Sequence, residues 1–155
     1  GSVNGSNNWT WMIRELTTSD LCELVSHSNF CDSIIANTDY WELLVNHPAS
    51  KAWSYWVNDK LMAAGGAVSV CPGNGEVWLA ITDTLMKKPK RLLVEVRKMI
   101  EHLKTCGLYH RLQMVIAPTD KLKSWAEHLG FSSEGLMKKY SPDQQDMIRY
   151  GLVWD

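Results

Sequence analysis

Apolar residues recur along this chain with two different spacings, and the change near Pro89 divides it. Residues 9–15 alternate well enough for a first strand. Thr17-Thr18-Ser19-Asp20 then supplies capping side chains for a short helix striped by Leu21, Leu24 and Val25. A second helical region covers 33–45 and stops before His47-Pro48. Residues 52–57 and 60–70 read as strands joined by a turn at Asn58-Asp59. Pro72-Gly73-Asn74-Gly75 is a second turn, and 76–81 returns as a third strand of an antiparallel meander. Beyond Pro89 the period lengthens: Leu92, Leu93, Val96, Met99, Ile100 and Leu103 form a helical stripe, with Glu95, Arg97, Lys98 and Glu101 outside it. Cys106-Gly107 ends that helix. A strand over 112–116, a helix over 120–128 stopped by Gly130, and a closing strand pair over 131–138 and 147–154 complete the chain. The order β-α-α-β-β-β-α-β-α-β-β predicts an α+β domain with a mixed, mostly antiparallel sheet.

Composition narrows this picture without redirecting it. At 155 residues and 45% hydrophobic content the chain suits one core, so residues 9–155 are expected to be a single domain and 1–8 a loosely held lead-in whose Gly1-Ser2 reads as a tag remnant. A formal charge of −1 argues against nucleic acid as a partner, and no apolar run approaches membrane-spanning length. The polar start is unlike a signal peptide. Cys22, Cys31, Cys71 and Cys106 show neither metal-binding nor redox spacing, so no metal site is expected and the thiols read as small buried groups. Eight tryptophans furnish either core or a partner-binding surface.

Charge is concentrated at one place. The strand 76–81 leads into a short crossover carrying Lys87, Lys88, Lys90 and Arg91, with Pro89 placed to open the long helix. Cations and unpaired first-turn amides at a strand end suit a phosphate or pyrophosphate. A solvated basic cap is the competing reading.

This succession resembles the GNAT superfamily of N-acetyltransferases. The residues that carry the resemblance are the strand, basic crossover and long helix, then the late helix followed by Leu129-Gly130-Phe131. A closer similarity is to GNAT-like bacteriophage proteins of the T7-type internal virion or morphogenesis group. It rests on the run Val77-Trp78-Leu79-Ala80-Ile81-Thr82-Asp83, the Lys87-Lys88-Pro89 crossover and Trp125. The resemblance implies acetyl-CoA as cofactor and an amine as acceptor. It implies that the backbone of Leu79, Ala80, Ile81 and Thr82 pairs with the pantetheine arm, while Lys87, Lys88, Lys90, Arg91 and Leu92 meet the pyrophosphate. Thr119 stands where many members carry an asparagine toward the cofactor arm, with helix N-capping as the competing role. The phage similarity adds a host-cytoplasmic or virion-associated setting and a phage or host protein partner, and a tryptophan-rich patch covered by a twin subunit would make a homodimer.

Two family features are missing. The crossover has none of the glycines that let backbone approach the pyrophosphate, and the tyrosine that often protonates the leaving thiolate falls at Ala126. Glu76, at the strand mouth, is the candidate base for the amine proton, since partial burial raises a carboxylate into a useful range. Asp83, at the strand's other end, is the competing candidate. Two functions remain open: an acetyltransferase, and a catalytically silent phage protein that binds a partner through its tryptophans.

Overall fold

The structure, a computed structural model, describes residues 10–27, 30–31 and 41–155. In chain order these form β1 (Trp11–Glu15), α1 (Thr18–His27), β2 (Phe30–Cys31), α2 (Trp41–Val45), β3 (Lys51–Val57), β4 (Lys60–Cys71), β5 (Gly73–Ile81), α3 (Asp83–Met86), α4 (Pro89–Thr105), β6 (Tyr109–Ile116), α5 (Asp120–His128), β7 (Ser132–Met137) and β8 (Met147–Val153). The expected lead-in 1–8, Trp9 of the expected first strand, and residues 33–40 of the expected second helical region lie outside the described residues.

The sheet follows from its turns. Asn58 and Asp59 both take positive φ, 49° and 65°, so β3 and β4 close through a two-residue hairpin whose twist matches the strands. Gly73, at φ 87°, lets the chain turn between Cys71 and its cross-strand partner Asn74. That turn is shorter than the four residues expected, so β5 begins at Gly73 rather than at residue 76. Strand order is β1-β3-β4-β5-β6-β8-β7, with β2 on β5, and every pairing is antiparallel except β5 with β6. A parallel neighbour requires a crossover, and the 17-residue α4 supplies it.

Alternation along β5 builds two cores. Val77, Leu79 and Ile81 face the stripe of α4 (Leu92, Val96, Met99, Ile100, Leu103) and the inner side of α5. Trp78 and Ala80 face the other way, onto Leu21 and Leu24 of α1 and Leu44 of α2. This is the mixed, mostly antiparallel sheet with flanking helices that the pattern predicts.

Several details correct the sequence reading. Glu95, assigned to the outer face of the long helix, is buried, held by Arg91 at 3.3 Å and Lys98 at 3.4 Å. Cys22 and Cys71 are exposed rather than internal, because Cys22 lies on the outer face of α1 and Cys71 at a hairpin end. A short helix, α3, fills a stretch read as irregular crossover. None of the six tryptophans whose side chains are described is exposed: Trp78 is fully buried, and Trp11, Trp53, Trp56, Trp125 and Trp154 are half-buried. The side chains of Trp9 and Trp41 lie outside the described residues.

β5 and β6 approach closely at Gly75, where an added Cβ would lie 2.9 Å from the Tyr109 ring. That ring cannot swing away freely, because its hydroxyl donates to the Ala49 carbonyl at 2.8 Å. Gly75→Ala is therefore expected to lower stability by about 1–3 kcal/mol, read as a reduced urea midpoint with an unchanged m-value.

Candidate active site

β5 and β6 stay together only briefly. Their parallel register runs from Gly73 opposite Tyr109 to Glu76 opposite Gln113. Both strands then continue, to Ile81 and Ile116, without pairing to each other. The wedge left between them opens into a cleft of about 1420 Å³ whose lining includes Glu76, Trp78, Leu79, Gln113, Thr119 and Arg149. One edge of the wedge is partly taken: β2 pairs antiparallel with β5, Phe30 opposite Ile81 and Cys31 opposite Ala80. Since β4 holds the other edge of β5, β2 lies on the side that faces β6.

Glu76 sits at the vertex, at the last paired position. Gln113 Nε2 donates to Glu76 Oε1 at 2.8 Å. The orientation of that amide is fixed, because Gln113 Oε1 accepts from Asn74 Nδ2 at 3.0 Å and from Arg111 Nε at 3.3 Å. Arg111 is in turn clamped bidentately by Glu134. Burial pushes the Glu76 carboxyl above its usual range, and the Gln113 bond and the charges of Arg149 and Arg111 only partly offset this. A carboxylate with a raised proton affinity at the vertex of a cleft is suited to general-base work.

The far end of the wedge carries the cations. Thr82 donates to the Met62 carbonyl through both its amide (3.0 Å) and its hydroxyl (2.9 Å), which ends β5 and starts α3. Lys88 N–H then bonds Leu85 O at 2.9 Å, and Pro89 opens α4. No residue from 82 to 92 takes positive φ, so this crossover is closed by a helical turn and needs no glycine. The amides of Lys90 and Arg91 lie in the first turn of α4, where an α-helix offers no intrahelical acceptor. Lys87, Lys88, Lys90 and Arg91 are all exposed. Arg91 is engaged by Glu95 and lies 4.6 Å over the Trp11 ring. Between α4 and α5 is an apolar pocket of about 300 Å³, walled by Pro89, Leu92, Leu122 and Trp125 and rimmed by Lys90 and Lys121.

The structure thus brings Glu76, Leu79 and Thr119 to one cleft, and Ile81, Lys90 and Leu92 to the adjoining pocket. Asp83 is exposed in the first turn of α3, at the opposite end of β5 from Glu76. Thr119 Oγ1 accepts from Leu122 N–H at 3.2 Å and so caps α5. Ala126 is fully enclosed in the core, and the α5 side chains facing the openings include Leu122 and Trp125, neither a proton donor to a thiolate. The strand expected over 112–116 leaves Arg111 outside it, and neither Gln113 nor Arg149 is among the candidate residues read from the sequence; in the structure Arg111 and Gln113 lie in β6 and Arg149 in β8. The available signal was the alternation of Arg111 and Gln113 with Leu112, Met114 and Ile116, polar side chains on one face of an otherwise apolar strand.

No protein-family model and no curated protein matches the chain. Solved structures do. A mutant of the spermidine N-acetyltransferase SpeG from Vibrio cholerae superposes with a TM-score of 0.73 at 15% identity, covering 92% of this chain and 93% of that one. A chimera of the Vibrio cholerae SpeG and hSSAT gives 0.73 at 14% identity, with 92% and 95% covered. An acetyltransferase of the GNAT family from Streptococcus pneumoniae gives 0.73 at 15% identity, with 94% and 100% covered. The chain has the GNAT fold over nearly its whole length.

The raised proton affinity of Glu76 has a consequence for stability. At pH ~4, near and below the unfolded carboxyl's pKa, the unfolded and folded forms both tend to be protonated and burial carries little penalty. As pH rises, the unfolded carboxyl ionises first, so stability is lost until the folded group ionises too. Glu76→Gln keeps an acceptor for Gln113 and removes the charge. Its Tm is expected to exceed that of the parent near pH 7 and to converge with it toward pH 4 in thermal denaturation.

Proposed function

We propose that this protein is an acetyl-CoA-dependent N-acetyltransferase that moves an acetyl group onto an amine. The observation that carries the reading is the β5–β6 wedge, which has a half-buried carboxylate at its vertex and a cation-rimmed helix start at its mouth. The residues present fit the cofactor: two first-turn amides without intrahelical acceptors, Lys87, Lys90 and Lys121, and an apolar channel between α4 and α5. Bound acetyl-CoA would supply an activated acetyl thioester.

The chain's own part is positioning and proton removal. Glu76 takes a proton from the incoming ammonium, directly or through water, leaving the neutral amine as nucleophile. Gln113, held by Asn74 and Arg111, fixes the base. Backbone amides on the open edge of β5 are the natural donors to the thioester carbonyl oxygen, whose charge grows as nitrogen attacks. Since α5 carries no tyrosine, the proton that a departing thiolate would need as the new amide bond replaces the thioester bond would come from water. The alternative, a silent virion-assembly or host-binding protein, draws on the phage-type sequence run and calls for exposed tryptophans. The six described rings are half-buried or buried, which favours the enzyme.

The position of β2 bears on the cofactor. A pantetheine arm pairing with Ala80 and Ile81 needs the edge that Phe30 and Cys31 hold, so the two compete. CoA binding is therefore expected to alter hydrogen exchange at the amides of β2 and β5 together. Isothermal titration should give saturable CoA binding that weakens about tenfold in a Lys87→Ala/Lys90→Ala variant, with a smaller loss at high salt. No binding at millimolar CoA would reject the enzyme and leave the assembly reading.

A further inference from the structure

Among the described residues, three buried side-chain polar atoms have no hydrogen-bond partner: Asn74 Oδ1, Trp78 Nε1 and Arg149 Nε. All three lie on the Glu76 face of the sheet. Asn74, Glu76 and Trp78 alternate along β5, Gln113 opposes Glu76, Gly151 opposes Gln113, and Arg149 is two residues along β8 from Gly151. Native proteins rarely leave buried donors orphaned, and a site whose ligand is absent is one of the few reasons for it.

Of the charged side chains lining the cleft, Arg149 stands apart. Glu76 accepts from Gln113. Asp143 is bonded by the Ser141 hydroxyl, and Asp146 accepts from Lys139 N–H at 3.0 Å. Arg149 is within electrostatic reach of Glu76 and Glu134. It forms no ion pair with either, and Glu134 is already committed to Arg111. Its α-carbon is displaced from that of Glu76 by two strand spacings, about 9.6 Å, and one two-residue step, about 7 Å. Both side chains leave the same face of the sheet and line the cleft, so rising side by side they bracket a space a few bonds long.

We infer that the acceptor is a short amino carboxylate, a free amino acid or a close analogue. Its ammonium lies at Glu76 and its carboxylate is taken by the Arg149 guanidinium, with Trp78 Nε1 as a second donor. This inference rests on the acetyltransferase reading for the reaction, and not for the binding site itself. It distinguishes the acceptor from spermidine, the amine named for the similar structures, because spermidine carries no carboxylate for Arg149 to take. Guanidinium and carboxylate match as planar forks, whereas an ammonium in place of Arg149 would offer only a point charge.

The test compares common L-amino acids with their carboxamides, and with spermidine, as acceptors in an acetyl-CoA assay that reads free thiol. The carboxylate-bearing amines are expected to lead their amides by about tenfold or more in kcat/KM. In Arg149→Met that ratio should fall toward one through a rise in KM, and Arg149→Lys should restore part of it. Preference for spermidine, or an equal loss of all amines in Arg149→Met, would overturn the inference. Calorimetry keeps the two readings apart. If CoA fails to bind, the acetyltransferase reading falls on that result alone, and amino acids are titrated directly. Saturable binding lost in Arg149→Met would uphold the carboxylate site, and no binding to the parent protein would overturn it.

Discussion

Everything distinctive about this molecule depends on where β5 and β6 stop pairing. A parallel pair can form only after a crossover, and the crossover here is a 17-residue helix that must pack back on the sheet. The stripe of α4 does so by burying Leu92, Val96, Met99, Ile100 and Leu103 against Val77, Leu79 and Ile81. Tyr109, tethered to the Ala49 carbonyl and with its phenol pushed up to about 12 by burial, pins the first pairs against Gly75. Past Glu76 the strands diverge. Backbone edges that a closed sheet would satisfy internally then face an opening, which is a demand for a partner.

The vertex is polar for a related reason. Gln113 is almost fully buried, and Glu76 is desolvated beside it. Neither would persist in a core built for stability alone, where apolar residues of similar volume cost less. The network ties the carboxylate to Arg111 and Glu134 through one amide whose orientation admits no flip, because three donors converge on its oxygen. Rigid placement of a costly group fits the proposed role of Glu76 as a positioned base, and a solvent-facing glutamate after a turn requires none of it.

The elements with a strong period were legible from the sequence. The late helix was expected over 120–128 and is found at Asp120–His128, and the long helix opens at Pro89 as its missing amide and fixed φ dictate. The hairpin at Asn58-Asp59 was equally plain. Legibility failed where tertiary contacts override local pattern. Glu95 lies outside the apolar stripe, yet Arg91 and Lys98 fold over it and bury it. Arg111 precedes the apolar run of β6 and so looked like a loop residue, although pairing with β5 and β8 extends the strand to include it. Of the site, Glu76 and the lysine crossover were readable because they sit beside turn and cap signals. Gln113 and Arg149 were not, because their neighbours lie 37 and 73 positions away along the chain, and only strand order unites them.

The glycine-free crossover and the strand β2 are best understood together. In a glycine loop the backbone itself approaches a pyrophosphate, and here side chains and a helical turn take that place. Attraction then comes from flexible lysines at the surface, which is weaker and more sensitive to salt than a ring of fixed amides. Such a site would hold the proposed cofactor less firmly at the phosphate end, and the wedge end would matter more. There the competitor is only two residues long, and each backbone hydrogen bond contributes about 1 kcal/mol net. For the proposed acetyl-CoA, a pantetheine arm bringing comparable bonds, together with apolar contact to Leu122 and Trp125, would compete with so short a strand. The edge of β5 that Phe30 and Cys31 hold is thus the edge such a ligand would imitate a strand to reach.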